Sequence, residues 1–91
     1  MLVARRLVIR GRVQGVGFRV FAVEAAAVEG VSGWVQNLYD GGLEILAEGD
    51  RDAVARFEAK LRRGPARAVV DEVQVDDDVP SGRSGPFIIR A

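Results

Sequence analysis

The chain has 91 residues, enough for one domain that buries roughly 60–65% of its unfolded surface without staples. It contains no cysteine and no histidine, which excludes disulfides, thiolate catalysis, and an imidazole base or metal ligand. Thirteen basic and thirteen acidic residues cancel, so no net field recruits nucleic acid or an anionic membrane, and any electropositive site must be local.

Val3, Leu7, Ile9, Gly11 and Val13 share one side of a period-two pattern, and Arg6, Val8, Arg10 and Arg12 the other, which predicts a half-buried first strand. The pattern breaks at Gly15 and Gly17. A helical period then begins, with Phe18, Phe21, Ala22, Ala25 and Val28 as one stripe and Gly30 as the stop. Residues 32–38 read as a second strand, Asp40-Gly41-Gly42 as the positive-φ positions of a hairpin, and residues 43–49 as the return strand. Asp50 suits the N-cap of a second helix whose buried stripe is Val54, Phe57 and Leu61, with Asp52 in its first turn. Arg62-Arg63-Gly64-Pro65 is its stop sequence. Residues 68–75 are expected to form a fourth strand and residues 87–90 a short fifth, joined by a polar loop over residues 80–86.

The order β, α, β, β, α, β with a terminal strand is that of an α+β, ferredoxin-like βαββαβ sandwich. Each helix has one apolar stripe to hide, so both belong on one face of a mostly antiparallel sheet, with the first and third strands adjacent. Residues 1–91 are expected to be a single domain. No apolar run approaches the roughly 20 residues that span a bilayer, and the N-terminus lacks a cleavable signal pattern, so the expected location is the cytoplasm.

Between the first strand and the first helix, Gly15 and Gly17 permit backbone conformations closed to other residues, so successive N–H groups can line one hollow at a helix N-terminus. Arg19 opens the helix and can aim a planar cationic fork at the same hollow, a geometry suited to phosphate. Two nucleotide motifs fail here. Val20 stands where a dinucleotide fingerprint needs a small residue, and no Lys-Ser/Thr pair follows the glycines. On spacing alone, a tight glycine turn beside a surface arginine fits equally well.

A second motif, Gly33-Trp34-Val35-Gln36-Asn37 with Asp40-Gly41, Leu43 and Gly49 after it, joins the first, in which Gly11, Val13-Gln14-Gly15-Val16, Phe18 and Arg19 are the matching residues. Together they resemble the acylphosphatase family over nearly the whole chain. The resemblance implies hydrolysis of acyl phosphates to carboxylate and inorganic phosphate. It implies that Arg19 and the amides of Gln14, Gly15, Val16, Gly17, Phe18 and Arg19 hold the phosphoryl oxygens, while Asn37 orients the attacking water. Water would attack phosphorus directly, with no phosphoenzyme, no cofactor and no metal. The expected partners are a small-molecule acyl phosphate and the phosphate anion, with no nucleic acid and no membrane, and the expected state is a monomer. This chain departs from the family pattern at Leu38, where threonine or serine is common, and at Leu43, where valine is usual.

Other residues have plainer explanations. Trp34 reads as core or half-core, and the Asp76-Asp77-Asp78 run as solvated charge, because consecutive acids on a strand point to opposite sides. Ser81 and Ser84 have no base beside them, Tyr39 is a surface aromatic, and Arg10 and Arg12 fit a solvated strand face. The rivals are a non-catalytic anion-binding module, an RNA-binding domain and a piece of a larger maturation enzyme. The first strand, with Leu7, Val8 and Ile9 and no aromatic, disfavours RNA. Retention of both Arg19 and Asn37 argues against a silent module, and the absence of cysteine pairs for an appended zinc module argues against the larger enzyme.

Overall fold

The computed structural model describes residues 1–90. The chain runs β1 (Leu2–Arg12), α1 (Phe18–Glu29), β2 (Ser32–Asn37), β3 (Leu43–Asp50), α2 (Arg51–Arg63), β4 (Val69–Asp78) and β5 (Ile88–Ile89). The strands form one sheet in the order β4-β1-β3-β2-β5, with every pair antiparallel except β2 with β5. This is the ferredoxin-like arrangement expected from the element order, with β1 and β3 side by side.

Alternation along the central strands sets the core. Leu7, Ile45 and Val35 lie opposite one another in the ladder, as do Ile9, Leu43 and Asn37. The apolar members of these rows are buried against Phe18, Ala22 and Ala26 of α1 and Val54, Phe57 and Leu61 of α2. Burying each of the large side chains is worth about 1.5–3 kcal/mol relative to exposure, which is what holds two helices on one face of the sheet. Asn37, at the end of its row, therefore sits on the helix side of the sheet at the rim of the core.

Four expectations need correction. Val28 is 75% exposed, because at 100° per residue it lies about 80° from Phe18, and the buried stripe passes instead through Ala22, Ala25 and Ala26. In the hairpin only Gly41 has positive φ (+96°), since the turn is closed by Leu38 N–H to Gly42 O and by Gly42 N–H to the Asp40 carboxylate. The fourth strand runs to Asp78 rather than Val75. Its acids at 76–78 pair in register with Arg6, Arg5 and Ala4, and the Arg5 and Arg6 guanidiniums lie near Asp77 and Asp78. The fifth strand is confined to Ile88–Ile89.

Two glycines in the matching motifs are fixed by close approach. Between Arg10 and Gly11 the β1–β4 register slips by a residue, and a Cβ on Gly11 would lie 2.1 Å from the Val69 carbonyl oxygen. A Cβ on Gly33 would lie 1.8 Å from the Leu46 oxygen, so neither strand crossing tolerates a side chain there.

Candidate active site

Val13 and Phe18 are both about 1% exposed, so the loop between them is pinned into the core at each end. Within it φ alternates in sign: Gly15 is at +73° and Gly17 at +79°, and no non-glycine residue has positive φ. Such alternation turns successive peptide N–H groups toward one side, forming a nest. A Cβ at either glycine would meet nothing within 4 Å, so conformation, not space, requires them. Gly17 is itself the N-cap of α1, left-handed and with no side chain to cap the helix. Among the described residues, no backbone N–H of residues 14–19 donates to a protein acceptor.

Gln14 fastens this loop to the β2–β3 hairpin. Its side-chain NH₂ donates to the Leu38 oxygen at 2.8 Å and the Gly42 oxygen at 2.9 Å, so the side chain braces and only its backbone N–H is left to face an anion. The hairpin is fixed in turn to β1 through an Arg10–Asp40 ion pair. The Gly42 N–H, and then the Arg10 guanidinium, hold the Asp40 carboxyl below its ordinary range.

A cleft of about 190 Å³ opens here. The loop and α1 contribute Val13, Gln14, Gly15, Gly17, Phe18, Arg19 and Val20, while the sheet contributes Asn37 from β2 and Ile89 from β5. The structure thus brings together every residue expected at the site except the Val16 side chain, which packs against the core. Arg19 is exposed, and none of the ion pairs among the described residues involves it. Among the described residues, no carboxylate, lysine or second arginine lines the cleft. The result is a small concavity rich in unengaged donors, facing a neutral carboxamide.

Val20 and Ile89 are lining residues that the sequence did not single out. Val20 could have been found as the helix position next to Arg19. Ile89 could not, because nothing local shows that the last strand runs parallel beside β2. A larger hollow of about 500 Å³ lies under residues 83–87, but its lining is mainly apolar and its carboxylate is already engaged. Glu48, 2% exposed, accepts hydrogen bonds from the Ser81 N–H and hydroxyl and from the Arg83 N–H at 2.8–3.2 Å. Burial opposes its charge, yet these donors outweigh burial and hold the carboxyl below its ordinary value.

Residues 5–89 match the sequence model of the Acylphosphatase family. An acylphosphatase of Nitrobacter hamburgensis is 48% identical over 88 residues, covering 97% of this chain and 86% of that protein. The crystal structure of an acylphosphatase from Bacillus subtilis superposes with a TM-score of 0.93 at 36% identity over 100% of both chains. A full-length HypF, solved in a phosphate- and nucleotide-bound form, contains a similar region: the match covers 100% of this chain but 12% of HypF, with a TM-score of 0.86 and 32% identity. With a family match spanning nearly its whole length and relatives that align end to end, the chain belongs to the acylphosphatase family.

Proposed function

We propose that the protein hydrolyses the carboxyl–phosphate mixed anhydride of acyl phosphates by direct attack of water on phosphorus. Arg19 and the N–H groups of residues 14–19 hold the phosphoryl oxygens, and Asn37 orients the water. The observation that carries this is the convergence on one small cleft of an N–H nest, a guanidinium and a carboxamide, the first two of which engage no partner among the described residues.

An acyl phosphate already has a good leaving group, so the reaction needs charge stabilisation and an aligned water more than a strong nucleophile. Charge spreads over the equatorial oxygens in the loose transition state, and hydrogen bonds to them strengthen accordingly. Asn37 can accept a water hydrogen but cannot remove it, which leaves a phosphate oxygen of the substrate as the base. The guanidinium and the nest supply the stabilisation, so the scheme calls for neither a metal nor a phosphoenzyme.

Residues 1–91 act in this scheme as one domain and as a cytoplasmic monomer. Both sheet edges are poor templates for pairing, since β4 is studded with acids and β5 is two residues long. No helix among the described residues is long and apolar enough to cross a membrane. Against RNA, Trp34 is, among the described residues, the one aromatic of the strands, and the Arg90 guanidinium covers it at 3.9 Å.

Incubation with benzoyl phosphate, followed by its ultraviolet absorbance, tests the proposal. Catalysed loss of the anhydride is expected. Binding of phosphate without turnover would make the protein an anion-binding module.

A further inference from the structure

We infer that Ile89 is a positioning residue for the reaction: it walls the Asn37 side of the cleft and holds the carboxamide, and the water it carries, in register with phosphorus. This rests on the hydrolase function proposed above and adds an element, β5, to it.

Asn37 has a task that requires one orientation and no internal partner to impose it. The side-chain hydrogen bonds around it join Gln14 to the hairpin carbonyls and Gln36 to Glu44; among the described residues none engages the Asn37 carboxamide. The next residue is Leu38, which offers no hydroxyl, and its backbone N–H and carbonyl serve the hairpin. The remaining constraint is packing. Ile89 pairs with Val35 in the parallel β2–β5 register, so it lies on the helix side of the sheet two positions short of Asn37, and it shares the cleft lining with that residue. It is 43% exposed. A β-branched side chain is stiff at χ1 and makes an unyielding wall, excluding bulk water from one flank of the carboxamide.

A two-residue strand could not serve this role unless it were anchored. Phe87, just before it, is buried edge-on against Phe57 with ring centroids 5.4 Å apart. Just after it, the Arg90 N–H donates to the Val35 oxygen at 2.8 Å, and the Arg90 guanidinium stacks over Trp34. Ile89 is held from both sides.

Steady-state kinetics with benzoyl phosphate, combined with inhibition by inorganic phosphate, test the inference in a double-mutant cycle of Ile89→Ala and Asn37→Ala. Ile89→Ala is expected to lower kcat about tenfold while KM and the phosphate inhibition constant stay within about twofold, and Ile89→Val to restore most of the rate. In the Asn37→Ala background the same change should have no further effect on kcat, because the group it positions is gone. Independent, multiplicative losses would overturn the inference, as would a loss confined to KM, which would make Ile89 a substrate contact. Thermal melts of each variant separate positioning from unfolding, since a loss that Ile89→Val does not rescue and that tracks the melting temperature is structural and also overturns it. A wild-type protein that turns over no benzoyl phosphate would refute the hydrolase function itself, a result distinct from any of these.

Discussion

In the proposed mechanism Arg19 and Asn37 divide the work of the cleft between holding the substrate and reaching the transition state. Without Arg19 the nest alone under-neutralises the phosphoryl group, so Arg19→Ala should lose both phosphate affinity and at least about 10³-fold in kcat/KM for benzoyl phosphate. Near-normal kinetics would remove Arg19 from the mechanism. The proposal has Asn37 act on water, not on the anion. Asn37→Ala should therefore lower kcat about 10²-fold while inhibition by inorganic phosphate changes less than about twofold. A parallel loss of phosphate affinity would make Asn37 a binding residue instead. Arg19 stands out in the sequence because it follows two glycines, Gly15 and Gly17, whose positive φ only glycine adopts readily, whereas Asn37 is singled out only by the family resemblance. For Gln14 the sequence allows its side chain either an anion contact or a brace and favours the backbone N–H for the anion, and the 2.8 and 2.9 Å bonds of the side chain to the hairpin make it the brace.

The link between β4 and β5 shows why elements can be read correctly and their linkage missed. Residues 80–86 read as a polar loop, and they are one. What the sequence could not show is that the chain crosses from one sheet edge to the other and is caught on Glu48, whose place in the alternation of β3 marks it as outward-facing. Ser32, next to Glu48 in the ladder, adds a bond from its hydroxyl to the Gly85 oxygen at 2.8 Å. Glu48→Gln keeps the shape of the side chain but removes the charge that the N–H groups of Ser81 and Arg83 converge on. It should lower the thermal midpoint by several degrees and speed amide exchange of residues 81–83 more than that of β1 or β3. Unchanged exchange in that segment would mean that the flanking Phe87 and Ser32 contacts suffice to hold it. The boundaries of β4 failed for a related reason. The valine-rich run ends at Val75 and the three acids after it read as a solvated strand end, yet opposite Arg5 and Arg6 they extend the ladder to Asp78.

For the whole molecule, the zero net charge conceals an asymmetric dependence on pH. Five carboxyl groups, Glu29, Asp40, Glu44, Glu48 and Asp50, are each held below their ordinary values. The causes differ. Hydrogen bonds from Arg56 and Lys60 act on Glu29, and the N-terminal ammonium acts on Asp50; at Glu44 burial opposes the charge but Arg6 and Gln36 overcome it. A carboxyl whose folded pKa is lowered binds its proton more weakly in the native state, so its contribution to stability is fully present above the unfolded value. It is lost as pH falls through the folded one. Those unfolded values are 4.5 for glutamate and 3.8 for aspartate. With no histidine in the chain, no side chain has an ordinary pKa between about 5 and 8. The melting temperature measured from pH 8 downward should accordingly stay nearly level to about pH 5 and then fall steeply below about pH 4.5. Glu48→Gln should make that acid fall shallower, because one of the groups that drives it is gone. A decline that sets in between pH 6 and 7 would contradict this account, since none of the five groups titrates there, and would place a proton-binding group in the fold that the carboxylate network does not contain.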